Sequence, residues 1–216
     1  GNSLSVSDTM TTALNYKNQL PLSPPDTFSS NGAAFIYKKK TGDAISNYFL
    51  SQHPEIVDWV IIELKTNKFK SVDTVAALLT QTGRIINTIG DTLIPVKETS
   101  GNYYVIVRHR NHIAIMSATL IAPSLTPVMY DFTTSLSKFY GGIAKLIKTG
   151  LYGMFAGDAN YDGVIDTLDF NRLIIDNKNA EDGYKTTDFN LSGFINSADF
   201  MLYAPNKQNK IKTNIR

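Results

Sequence analysis

Between Ile56 and Leu64 the chain reads Ile-Val-Asp-Trp-Val-Ile-Ile-Glu-Leu. Such a run of β-branched and aromatic residues suits a strand with a buried face. Val72 to Leu79 and Arg84 to Ile89 predict two further strands, parted by Gln81-Thr82-Gly83. The turn signal Thr99-Ser100-Gly101 precedes the strongest strand candidate, Tyr103 to Ser117. Earlier, Pro21, Pro24, Pro25 and the run Ser29-Ser30-Asn31-Gly32 mark an irregular segment with little room for helix. Leu136, Tyr140, Ile143 and Ile147 fit a helical stripe that Gly141-Gly142 weakens, so residues 134–150 are ambiguous. Short strands at roughly ten-residue spacing predict an Ig-like β-sandwich over residues 1–154.

The 216 residues are 43% hydrophobic and 19% charged, too apolar for a disordered chain. No apolar run reaches the length of a membrane-spanning helix, so no membrane insertion is expected. The opening Gly1-Asn2-Ser3-Leu4 is not a signal peptide and reads as the start of a mature chain. The absence of cysteine excludes disulfides, thiolate metal sites and cysteine nucleophiles. A net charge of +2 hides a split, because residues 157–204 carry nine acids against three bases. Lys207, Lys210, Lys212 and Arg216 make residues 205–216 a basic tail, expected to be solvated. Without interleaved aromatics that tail does not predict nucleic-acid binding.

One repeat carries most of the chemistry. Asp158, Asn160, Asp162, Asp166 and Asp169 recur 30 residues later as Asp188, Asn190, Ser192, Asn196 and Asp199. In both copies oxygen-bearing side chains occupy loop positions 1, 3, 5, 9 and 12, and glycine occupies position 6 (Gly163, Gly193). Calcium takes six to eight hard oxygen ligands at about 2.3–2.6 Å, and a tight loop supplies them from alternate residues. Position 7, Val164 or Phe194, contributes only its carbonyl. Ile165 and Ile195 at position 8 are expected to turn inward and pack together. Two calcium sites are therefore expected, the second weaker because it has fewer carboxylates. Magnesium, which prefers a rigid octahedron and keeps its waters, fits less well.

The paired loops resemble a dockerin type I module over residues 155–204, each loop followed by a helix. The second helix, from Ser197, is predicted to stop at Pro205. In cellulosomal dockerins loop positions 10 and 11 help recognise a cohesin, and here they are Thr167-Leu168 and Ser197-Ala198. Asp58-Trp59-Val60-Ile61-Ile62-Glu63-Leu64, Tyr103-Tyr104-Val105 and Arg108-His109-Arg110-Asn111-His112 resemble strings in large secreted or surface proteins of the Bacteroidetes. So does Thr149 to Asn160, which runs into the first loop. The resemblance implies an extracellular accessory role in adhesion or polysaccharide handling.

The other polar cluster admits two readings. In an extended strand Arg108, Arg110 and His112 share one face, where they could contact an anion or acidic sugar. His109 and Asn111 then fall among Val105, Val107, Ile113 and Ile115 and need internal hydrogen-bond partners. A zinc site lacks a third ligand at sensible spacing. Trp59, between Val57 and Ile61 on the same strand face, is expected in the core. No carboxylate pair outside the loops is tied to one cleft, and no Gly-x-Ser-x-Gly, phosphate loop or His-Glu-x-x-His occurs. The chain thus reads as a non-catalytic extracellular module, mainly β with a small α module, whose two units pack together. A cohesin-type protein or a glycan are the alternative partners.

Overall fold

The structure, a computed structural model, describes residues 9–215 except 68, 98, 99, 125 and 127. Gly1-Asn2-Ser3-Leu4, Thr99 of the turn signal and Arg216 of the tail lie outside the described residues. The chain is mainly β. Two short helices, α1 (Ala13–Tyr16) and α2 (Asn47–Gln52), flank a two-stranded ribbon of β1 (Thr27–Phe28) and β2 (Phe35–Ile36). The expected strands follow as β3 (Ile56–Lys65) and β4 (Ser71–Thr80), while β5 shrinks to Ile85–Ile86. With β6 (Tyr104–Arg108) and β7 (Ile115–Met116) they form one antiparallel sheet in the order β5-β4-β3-β6-β7.

Central β3 is buried along nearly its whole length because both sheet faces are covered. Trp59 and Ile61 pack on one side with Leu14, Phe28, Leu50 and Leu191. Val60 and Ile62 pack on the other with Val107, Ile115 and Phe139. The covers are the short helices α1 and α2, irregular chain and two-stranded ribbons. The ambiguous segment 134–150 resolves into short 3-10 turns up to Gly142, then β8 (Lys145–Lys148) and β9 (Leu151–Gly153). Gly141 and Gly142 both have positive φ, which breaks the helical stripe there.

The predicted strand Tyr103 to Ser117 is a correction. It ends as a regular strand at Arg108, bends through residues 109–114 and returns as β7. The bend carries buried side chains whose partners lie partly on β3, at Asp58, and partly on the approach to the second loop, at Lys185 and Asp188, so their bonding overrides the strand pattern.

Two longer helices, α3 (Thr167–Lys178) and α4 (Ser197–Gln208), follow the two acidic loops. Helix α4 runs through Pro205 instead of stopping there. Proline removes one N–H from the ladder, but Pro205 and Met201, one turn earlier, both lie on the exposed side where water can satisfy the freed carbonyl. Ile165 and Ile195 are both buried in one cluster with Leu173, Phe189 and Tyr203.

The basic tail is not simply a solvated terminus. Thr213 and Ile215 are buried while Lys210 and Lys212 face water, a period-two pattern of strand type. Lys212 bridges Val164 of the first loop, with Ile165 N–H donating to Ile211 and Thr213 N–H donating to Gly163. Ile215 packs on Ile106, Ala114 and Met116 of the sheet. The acidic unit and the β unit also share side chains, since Leu191 enters the sheet core and Ile113 enters the loop core.

Ile215→Ala should therefore destabilise the protein by about 2–5 kcal/mol, the range for truncating a buried isoleucine. Urea unfolding measures this, and an unchanged midpoint would mean the tail is a passive terminus.

Candidate functional site

Asp158 and Asp188, the first residues of the two loops, are fully buried. The loops then repeat most of each other's hydrogen bonds, differing at position 1, where Asp188 Oδ1 accepts Ser192 N–H at 2.9 Å and Asp158 Oδ1 has no such bond. Gly163 N–H donates to Asp158 Oδ2 at 3.0 Å, and Gly193 N–H donates to Asp188 Oδ2 at 2.8 Å. The third residue accepts from the fifth in each, with Asp162 N–H to Asn160 Oδ1 at 3.0 Å and Ser192 N–H to Asn190 Oδ1 at 3.0 Å. The fifth accepts from the seventh, Val164 N–H to Asp162 at 2.9 Å and Phe194 N–H to Ser192 Oγ at 3.3 Å. Asp169 and Asp199 close the loops, each taking one N–H from position 3 and one from position 9.

Asp166 and Asn196 at position 9 turn onto the helices. Their side chains cap α3 and α4 by accepting from Leu168 N–H at 2.7 Å and Ala198 N–H at 2.8 Å, completing a capping box in each. Backbone torsions repeat as well. Tyr161 and Leu191 at position 4, and Gly163 and Gly193 at position 6, all have positive φ. Glycine at 163 is also required by close approach, because a Cβ there would stand 1.8 Å from the Ser30 carbonyl oxygen.

Electrostatics marks the loops as short of positive charge. Burial, with the charges of Asp169 and Asp162, pushes the Asp158 carboxyl up to about 7 against the bond from Ser29. Burial likewise raises Asp169 to about 6 and Asp188 to about 6, and lifts Asp199. Asp158 Oδ1 is buried without a hydrogen-bond partner among the described residues. Native structures rarely leave such an acceptor unmet, so the atom is one a hard cation would satisfy.

Among the described residues no three His, Cys, Asp or Glu side chains are grouped to hold a metal. Asp162 and Asp166 are turned onto backbone N–H groups, so a calcium ion here would have to draw on amide, hydroxyl and carbonyl oxygens too. The donor set, all oxygen and rich in neutral groups, fits calcium on these terms.

The two loops differ in their surroundings. Residues 29–32, read only as an irregular run, lie along loop 1. The Ser29 hydroxyl donates to Asp158 Oδ2, Ser30 N–H to Tyr161 O at 3.2 Å, and Gly32 N–H to Asp162 O at 2.7 Å. Loop 2 instead receives protein cations. Lys17 Nζ donates to Ser192 O at 2.6 Å, and an Arg110 Nη2 lies 3.9 Å from Asp188 Oδ2.

Arg108 and Arg110 are not offered to an external anion, which corrects that reading. Arg108 is 1% exposed and grips Glu63 through Nε at 2.8 Å and Nη2 at 2.7 Å, with Phe35 beneath its guanidinium. Arg110 is 2% exposed, donates to Asp58 Oδ2 at 2.8 Å and to the Lys185 carbonyl, and stacks on Tyr184. Although burial disfavours the ionised acid, Arg110 and His109 hold the Asp58 carboxyl well below the usual carboxylate range. His112 is half-buried, and burial with neighbouring His109 and Arg110 pushes its pKa well down.

Comparison with protein-family models, curated proteins and solved structures returned no match for the chain. Function must therefore be argued from the geometry alone.

The sequence marked Asn111 as needing internal hydrogen-bond partners but gave no sign that Ser29 and Lys17 hold the loops from the β unit. Their only signal was polarity, which surface residues share. Trp59 sits in the core as expected, its indole N–H donating to Pro21 O at 2.8 Å.

The raised Asp158 pKa has a signed consequence. Stability from a carboxyl raised to about 7 is fully present below its unfolded value and is lost as pH climbs through 7. In calcium-free protein Asp158→Asn, which never ionises, should therefore gain in melting temperature over the parent as pH rises from 5 to 7, levelling off above. A gap constant across that range would show that Asp158 is not strained by its charge.

Proposed function

We propose that this protein is a non-catalytic extracellular module in which calcium stabilises a dockerin-like pair of loop–helix units packed against a β unit of sandwich type. The carrying observation is the matched hydrogen bonding and torsions of the two loops. Two copies with the same bonds to positions 1, 3, 5 and 12, and the same left-handed residues at 4 and 6, are hard to explain as unrelated turns. Ribbons β1–β2 and β8–β9 cover opposite faces of the five-stranded sheet, Phe28 joining the cluster of Trp59 and Tyr152 packing against that of Val60, so the sandwich reading rests on one partial cover per face.

Calcium in this setting is counter-charge for buried carboxylates and hence folding energy, because it binds only the assembled loop. Loop 1 carries four carboxylates, of which Asp162 and Asp166 also accept backbone N–H groups, and an Asp158 Oδ1 unsatisfied among the described residues. Loop 2 offers two, beside Arg110 and Lys17, and is the weaker site. An extracellular setting, where calcium is abundant, suits such sites. Among the described residues no helix is long and apolar enough to cross a membrane. A structural or adhesion role in a secreted or surface protein fits this set.

A second reading, docking on a cohesin-type partner, is favoured by the outer face of the helices. Leu168, Ile174 and Ile175 on α3 and Phe200 and Met201 on α4 are exposed, more apolar surface than single scattered residues present. A cleft of about 380 Å³ between the helices is lined by Phe170, Phe200 and Tyr203.

Isothermal titration of chelator-stripped protein should show two calcium events, the tighter abolished by Asp158→Ala and the weaker by Asp188→Ala. Melting temperature should rise with calcium in parallel. No heat and no shift would end the calcium reading. For the docking reading, Ile175→Asp and Met201→Asp should abolish calcium-dependent binding to a cohesin domain without lowering the melting temperature. Binding equal to that of the parent would exclude this face.

A further inference from the structure

Asn111 is fully buried and touches the first residue of both loops. Its carbonyl accepts Gly157 N–H at 3.0 Å and Asp158 N–H at 3.2 Å, at the entry to loop 1. Its side-chain Nδ2 donates to the Asp188 carbonyl at 2.8 Å, at the entry to loop 2. The amide is oriented from behind, since Asn111 Oδ1 lies 2.8 Å from His112 Nδ1. One rigid residue therefore spans two loop entries separated by 30 positions in the chain.

We infer that Asn111 is a positioning residue that couples the two calcium loops, so that filling one orders the other. This inference rests on the calcium reading above and adds a mechanism to it. Ligation by Asp158 fixes the backbone at 157–158 and, through the Asn111 carbonyl, the orientation of the Asn111 peptide. The side chain of the same residue then holds Asp188 O, and with it the main chain from which the Asp188 carboxylate projects. A loop whose first residue is already held loses less conformational freedom on binding, which raises its affinity without any new contact to the ion. By linkage the effect is reciprocal, and each loop raises the other by the same factor.

Packing of Ile165 with Ile195 offers a parallel route through the apolar cluster between the helices. It is separable from the Asn111 route, because Asn111 lies outside that cluster and its side chain can be replaced without altering either isoleucine.

The test is a cycle of calcium titrations by isothermal calorimetry on full-length, chelator-stripped protein. Asp199→Asn weakens loop 2 and Asp169→Asn weakens loop 1, each leaving the other loop to be read alone. In the otherwise unaltered chain, weakening one loop should lower the affinity of the other by about fivefold or more, the low end of ordinary coupling between sites. In an Asn111→Leu background, which keeps the volume but removes the donor to Asp188 O, that factor should fall toward one. Asn111→Ala provides a second background should leucine fail to fit, and circular dichroism establishes that each variant is folded.

Calcium binding to both loops with no dependence of one on the other would overturn the coupling while leaving the calcium reading intact. So would a coupling factor unchanged by both Asn111 variants, which would assign the coupling to the isoleucine contact. No calcium binding by the parent chain would instead remove the reading on which the inference rests.

Discussion

Arg110 is the constraint around which the molecule is arranged. A guanidinium buried away from water needs its charge matched and most of its donors used. Here Asp58 supplies the charge at 2.8 Å, Lys185 a carbonyl and Tyr184 a ring face, while Nη2 makes no hydrogen bond among the described residues and has only the Asp188 carboxylate at 3.9 Å. Asp58 belongs to the central strand, while Tyr184, Lys185 and Asp188 belong to the approach to the second loop. Satisfying Arg110 therefore brings the acidic unit down onto the sheet. Burying such a pair contributes little net stability compared with apolar packing, but losing one partner is costly, so its main effect is on which arrangement forms.

The neighbouring groups repeat that logic on the first loop. Arg108 spans Glu63 and the Ser29 carbonyl, fixing the segment whose Ser29 hydroxyl reaches Asp158. Residues 29–32 then run beside loop 1, and the tail pairs with it through Val164 and Lys212. Each loop is thus clamped by chain from outside its own unit, loop 1 by residues 29–32 and 211–213, loop 2 by Lys17 and Arg110. A short loop rich in buried carboxylates has little apolar core of its own to hold it in order. Here the β unit carries part of that task, which explains why a short acidic segment can form a defined core with only a few buried residues such as Ile165, Leu173 and Tyr203.

The charge distribution separates the loops functionally. Loop 1 concentrates carboxylates around a buried Oδ1 with no protein donor, and burial holds Asp158 near neutrality in its proton affinity. Loop 2 replaces two of those charges with neutral groups and adds cations from the protein. The first is left with buried carboxylates short of positive charge, and the second is partly served by cations of the protein itself.

Much of this was readable from residue order, and the reason is that it depends on short-range geometry. β3 and β4 follow from local runs of β-branched residues, and the loops follow from oxygen donors and glycine at fixed spacing, since positions 1 to 12 form one turn of backbone with local bonds. Trp59 in the core follows from strand alternation. The fate of Arg108 to His112 did not follow, because alternation assumes a strand that continues, and this one ends at Arg108 where buried side chains find partners in β3, residue 29 and the second loop. Pro205 and the tail were misjudged for a related reason. A helix tolerates a proline when the carbonyl one turn earlier can tilt toward water, which relieves both the ring clash and the lost bond, and Ile211, Thr213 and Ile215 mark a strand only once a surface exists for them to cover. Local chemistry decided the pieces, and the pairing of buried charges across the chain decided how they meet.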